Sequence, residues 1–251
     1  VYVSDEGADR ISIFNRQGEF LGKWGEHGSG DGQINRPAGI AFDADENMYL
    51  VDTLNHRVQK FTKDGRFLGK WGTFGNGDGE FNMPWGIAID ELGDIYVADW
   101  RNDRIQKFDS NMNFIFKFGK SGSGDGEFSR PSGIAVDKDG DIYVADTENN
   151  RVQLFTQEAR FVQQFKGDAI ISKSTLDRMF TNNKLSRRLR ESGSLDLEKL
   201  LGRPRSVRID DQGHMFIADY ECFRIQVYKK HAYPLSEDEI APPLRSPVLV
   251  N

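Results

Sequence analysis

The chain has 251 residues and a net charge of −6, and is rich in glycine (26) and aromatics (18 Phe, 7 Tyr, 4 Trp), which suits many short strands and tight turns better than a helical bundle. No apolar run of about 18 residues is present to span a membrane, and the mild negative charge gives no global attraction to DNA or RNA. The single cysteine, Cys222, excludes an intrachain disulfide and a cysteine-based zinc knuckle, and assigns no compartment.

Self-similarity decides the fold class. RPAGIAFD begins at Arg36, MPWGIAID at Met83, RPSGIAVD at Arg130 and RPRSVRID at Arg203; the first two intervals are 47 residues and the third is 73, one repeat with 26 residues added. A second signature runs in step: YVSD ends on Asp5, YLVD on Asp52, YVAD on Asp99 and Asp146, and FIAD on Asp219. Five residues after each comes an arginine, at Arg10, Arg57, Arg104, Arg151 and Arg224.

The second copy sets the pattern, with strands A to D predicted at 39–43, 48–52, 57–61 and 67–72 and turn formers between them. A four-stranded antiparallel meander repeated at this period buries its faces only against neighbouring copies around an axis. This predicts an all-β propeller over 1–251, with five copies visible and strand A nearest the axis. A residue found in every blade is structural first, so the recurrent Asp and Arg are expected to fasten the B–C turn. The Gly-Asp-Gly at 30–32, 77–79 and 124–126 precedes no helix and no Lys-Ser/Thr, and reads as interblade turns, not as a phosphate loop.

Residues 168–202, which hold the added 26, are predicted to form a helical insertion in the D–A connection after the fourth blade. Leu176, Met179 and Phe180 line one side of its first stretch, ahead of the basic Arg187, Arg188 and Arg190. That pattern points to docking, on the propeller or on a partner. The tail 231–251 ends on Arg245-Ser246-Pro247-Val248-Leu249-Val250, an echo of the start of strand A. It offers the first copy the inner strand that copy lacks; the alternative is a further blade upstream of Val1.

Taken together, P-x-G-I-A-x-D, Y-V-x-D-x-x-N-x-R-[IV]-Q-x-F and G-x-G-D-G-x-F resemble the NHL repeat, over nearly the whole chain apart from 168–202 and the tail. The resemblance implies a propeller, six-bladed in most relatives. Functionally it implies protein binding, RNA binding or, in a few related propellers, lyase or lactonase chemistry.

Catalytic and metal readings find little support. Asp137, Asp139, Asp141 and Glu148 fit positions 1, 3, 5 and 12 of a calcium loop, but Ile142 stands where that loop needs glycine, and a hairpin explains them without calcium. His27 and His56 are the one histidine pair that could share a face, and a catalytic zinc needs a third protein ligand. There is no G-x-S-x-G. No catalytic residue, metal or cofactor is expected.

Antiparallel meanders place B–C and D–A connections on one face of the ring, and the copies differ most there. The residue after the repeat proline is Ala38, Trp85, Ser132 and Arg205; the residue after the strand-B aspartate is Glu6, Thr53, Trp100, Thr147 and Tyr220. Trp85, Trp100, Arg101, Arg205 and Tyr220 are therefore the candidate binding residues, of the types that concentrate interface energy; the alternative packs both tryptophans into the rim of the core. The expected function is a non-enzymatic scaffold for a protein partner. The alternatives are single-stranded RNA binding through Arg36, Arg130, Arg205 and the insertion, and a propeller lyase or lactonase; DNA is not expected as a partner.

Overall fold

The computed structural model describes residues 1–167 and 199–230, which form five antiparallel blades in phase with the repeat. The first blade holds β1 (Tyr2–Asp5), β2 (Arg10–Phe14) and β3 (Phe20–Trp24), which are strands B to D of the pattern. The second holds β4 (Pro37–Phe42), β5 (Met48–Asp52), β6 (Arg57–Phe61) and β7 (Phe67–Trp71). The third holds β8 (Ile87–Ile89), β9 (Ile95–Asp99), β10 (Arg104–Phe108) and β11 (Phe114–Phe118). The fourth holds β12 (Pro131–Val136), β13 (Ile142–Asp146), β14 (Arg151–Phe155) and β15 (Phe161–Phe165). The fifth holds β16 (Pro204–Ile209), β17 (His214–Asp219) and β18 (Arg224–Lys229), strands A to C.

Strand A is innermost. β4 lies against β8, β8 against β12 and β12 against β16, while β1 takes the axial place beside β4. The glycine of the P-x-G-I-A motif permits this closeness. A Cβ on Gly86 would stand 2.1 Å from the Ser132 carbonyl oxygen, and one on Gly39 2.7 Å from that of Trp85.

The core lies between blades. Side chains alternate along a strand, so Met48 and Leu50 pack toward Ile11 of the first blade while Tyr49 and Val51 pack toward Ile87 and Val97 of the third. Burial on both faces is why strand B reads as an unbroken apolar run. Where no neighbouring blade is described the equivalent faces are open: Val3 is 44% exposed against 0% for Leu50, and Ile225 is 66% exposed against 0% for Val152.

Short 3-10 turns stand inside the B–C connections at Thr53–Asn55, Trp100–Asn102 and Thr147–Asn149. Among the described residues no helix is long and apolar enough to cross a membrane. The predicted helical insertion, with Leu176, Met179, Phe180, Arg187, Arg188 and Arg190, and the tail 231–251 lie outside the described residues. Of the 168–202 segment only its last residues are described, and there Leu201 donates its amide to Lys166 O at 2.7 Å and packs between the fourth and fifth blades.

Candidate functional site

The face carrying the B–C and D–A connections is built on a repeated hub. In the third blade the buried Asp99 carboxylate accepts Arg104 Nε at 2.7 Å, Asn102 Nδ2 at 2.9 Å, Gln106 Nε2 at 3.3 Å and the Asn82 amide at 2.7 Å. Arg104 gives three more N–H groups to the Asn76, Gly77 and Glu80 carbonyls of the D–A connection. The set recurs around Asp52 with Arg57 and around Asp146 with Arg151, where Gln164 Oε1 takes the place of one carbonyl. Burial pushes the Asp99 and Asp146 carboxyls up from the ordinary aspartate range, against the hydrogen bonds and the guanidinium that favour ionisation. The Gly-Asp-Gly segments are thus interblade turns fastened by the next blade's arginine.

This hub positions the tryptophans. Asp99 is followed at once by the Trp100–Asn102 turn, whose Arg101 amide donates to Asn82 O at 3.0 Å, while the Trp85 amide donates to Ala98 O at 2.9 Å. Two backbone segments 15 residues apart in sequence are thereby clamped side by side, and the Trp85 and Trp100 rings meet at 6.1 Å with a 40° tilt. Both are half-buried.

Guanidinium groups cover these rings. Arg36 lies over Trp85 at 5.5 Å, Arg130 over Trp100 at 4.9 Å and Arg101 over Trp100 at 5.6 Å; Arg205 lies over Tyr220 at 3.9 Å. Trp85, Trp100 and Arg205 share one cleft of about 50 Å³ with Ser132, Thr147, Glu148 and Arg203. Trp85 and Arg205 also line an axial cavity of about 250 Å³. The five residues singled out in the sequence are therefore brought together, Tyr220 through Arg205. Arg36 and Arg130, which the sequence offered for the RNA alternative and not for the protein-binding face, join them here over the tryptophan rings. Their own backbones are held in left-handed conformations, φ 57° in both, and Arg130 donates its amide to Asp103 Oδ1 at 2.7 Å.

Polar side chains elsewhere are engaged structurally. His27 Nδ1 lies 2.7 Å from Asp9 Oδ2, and His214 Nδ1 2.9 Å from Asp210 Oδ2 in an A–B turn. His56 Nδ1 accepts the Met83 amide, and its ring rests on Phe74 at 4.9 Å. Asp137, Asp139 and Asp141 surround the Lys230 ammonium at 2.7, 3.0 and 2.8 Å, whereas Glu148 meets Arg203 on the opposite face. Among the described residues no three His, Cys, Asp or Glu side chains are grouped to hold a metal ion. Cys222 is exposed as a residue, and partial desolvation of its thiol with the nearby Asp219 carboxylate raises its pKa above the ordinary thiol value, the opposite of what a nucleophile needs.

The NHL repeat family matches residues 81–108 and 128–155, the third and fourth blades. Virginiamycin B lyase from Staphylococcus aureus superposes with a TM-score of 0.52 at 13% identity, over 92% of this chain and 67% of that one. A protein of unknown function from Bacteroides thetaiotaomicron gives 0.60 at 17% identity, over 89% and 54%, and another from Bacteroides caccae gives 0.56 at 13%, over 84% and 64%. The chain thus spans between about half and two thirds of these structures, and at such identities they share its fold alone. Comparison with curated proteins by sequence finds no match.

Proposed function

On the premise that this chain carries NHL repeats in a β-propeller, we propose that it is a non-enzymatic platform that holds a protein partner on the face of its B–C and D–A connections. The observation that carries the reading is the Trp85–Trp100 pair, half-buried, in van der Waals reach of each other and flanked by Arg36, Arg101 and Arg130. Tryptophan and arginine held in fixed geometry are what interface hot spots are made of, because little conformational entropy remains to be lost on binding.

Single-stranded RNA is the second reading, supported by the same arginines and by ring faces on which bases stack. A lyase reading draws on a structural neighbour, but among the described residues the axial cavity has no histidine in its lining, only Glu6, Arg205 and Arg208 as charged groups.

The test is to recover the partner from the native source and measure its affinity for Trp85→Ala and Trp100→Ala chains. Each substitution is expected to cost about 2 kcal/mol of binding with the melting temperature nearly unchanged. A partner that binds both variants as well as the parent, or a ring that unfolds on either change, rejects the reading.

A further inference from the structure

Charge is distributed unevenly along the axis. At the A–B end the turns are built on Asp43, Asp90, Asp137 and Asp210, each of which accepts amides of its own turn. Asp43, Glu46, Asp94 and Asp137 at that end are paired with Lys60, Lys63, Lys107 and Lys230, and Asp45, Glu91 and Asp211 have no cationic partner among the described residues. The opposite end is cationic around the axial mouth. Arg36 and Arg203 there are paired with Glu6 and Glu148. The guanidinium groups of Arg101, Arg130 and Arg205 have no carboxylate among the described residues, only the ring faces of Trp100 and Tyr220.

Stacking occupies the flat face of a guanidinium and leaves its N–H edge free. Each edge is a fork that fits a carboxylate in two parallel hydrogen bonds, and the ring beneath holds it in place before anything binds. We propose that the partner presents an extended acidic segment, laid across the axial mouth with its carboxylates on Arg130, Arg205 and Arg101; this rests on the partner face proposed above.

Three further features suit a peptide of that kind. The axial cavity of about 250 Å³ at this mouth, which shares Ser4, Ala38, Gly39 and Arg208 with a further space of about 590 Å³ along the inner strands, has room for one side chain of a segment passing over it. Glu148, which shares the cleft with both tryptophans and meets Arg203 through Oε1, has Oε2 to accept a backbone amide of such a segment. At the mouth itself the charged groups without a partner of opposite sign are the guanidinium groups of Arg101, Arg130 and Arg205, so the local field there draws an acidic segment although the whole chain is negative.

The experiment is an array of random twelve-residue peptides probed with the labelled chain at physiological salt, beside fluorescein-labelled octauridylate in solution. Retained peptides are expected to be enriched in Asp and Glu over the array average. Arg130→Gln and Arg205→Gln are expected to weaken a retained acidic peptide about tenfold each, while Lys230→Met, at the other end of the axis, leaves it unchanged. Melting curves establish that each variant is folded, and Arg205, an exposed residue, serves if Arg130→Gln is not. Peptides retained through Trp85 and Trp100 with no acidic bias overturn the acidic class and leave the partner face standing. Octauridylate bound in place of peptides overturns both. Self-association lost on Arg205→Gln overturns the proposal in favour of a second copy, whose acidic end would then fill the mouth.

Discussion

His56 receives the backbone amide of Met83 on Nδ1 at 3.0 Å, joining the B–C turn of the second blade to the connection that enters the third. Asp9, Asp103 and Asn150 do the same for Arg36, Arg130 and Arg203. One blade junction out of these four is thus closed by a group that titrates near neutrality. Burial pushes the imidazole below the ordinary histidine value of 6.5, against the pull of the Asp99 carboxylate. A depressed folded pKa means stability that is present above about 6.5 and is lost as the pH falls through the folded value. The melting temperature is therefore expected to fall from pH 7 to pH 5 more steeply in the parent chain than in His56→Asn, whose amide oxygen accepts at any pH. Parallel curves for the two chains would contradict this.

Arg104 ties Asp99, in a buried pair, to three carbonyls of the preceding connection through part-buried hydrogen bonds. Its removal strands a buried carboxylate as well as those acceptors, so Arg104→Leu is expected to cost about 3–5 kcal/mol in denaturant titrations. Arg104→Lys should recover little of this, since an ammonium cannot match the planar fork. A loss below about 1 kcal/mol for Arg104→Leu would show that the hub is dispensable.

Gly86 sets the spacing of the inner strands. Its added Cβ would fall 2.1 Å from the Ser132 carbonyl oxygen, backbone against backbone, and no rotamer change relieves that. Gly86→Ala is expected to destabilise by about 3 kcal/mol, whereas Gly79→Ala, in an interblade turn with open space around it, meets only the strain of its positive φ of 77°. Urea midpoints of the two variants compare them directly.

Lys230 stands in for a lysine that the fourth blade lacks. Lys60 and Lys107 of strand C pair with the A–B aspartates of their own blades; the fourth blade has Leu154 across from Tyr143, where those lysines lie across from Tyr49 and Tyr96. Lys230 arrives instead from the fifth blade and meets Asp137, Asp139 and Asp141. Burial opposes its charge, but the three carboxylates hold its pKa above the ordinary lysine value of 10.5. That contribution is full below the ordinary value and fades as the pH rises through the folded one. Lys230→Met is expected to lose about 2 kcal/mol at neutral pH, and Leu154→Lys in the same chain to restore part of it. No recovery in the double variant, measured by thermal melting, would count against the substitution of one lysine for the other.

Much of this was legible in the sequence. The strands predicted at 48–52 and 57–61 are β5 and β6 to the residue, and those at 39–43 and 67–72 differ from β4 and β7 by two residues or fewer at each end. The recurrent Asp and Arg do fasten the B–C turn, at 2.8 Å for Asp52 and Arg57. These are local or repeat-encoded matters. Alternation, turn chemistry and a period of 47 residues are written along the chain, and each blade can form only if its copy supplies them.

What lies between blades had to await the fold. Arg36 is 49 residues from the ring it covers, and Lys230 is 93 from Asp137; no spacing rule joins such pairs, because their distance is set by how the rigid sheets turn about the axis. Net charge was equally silent, since a sum of −6 says nothing of which residues share a face. Repetition fixed the blades, and the ring, by bringing B–C turns and D–A connections of different blades to one end and the aspartate turns to the other, decided where tryptophan, guanidinium and carboxylate meet.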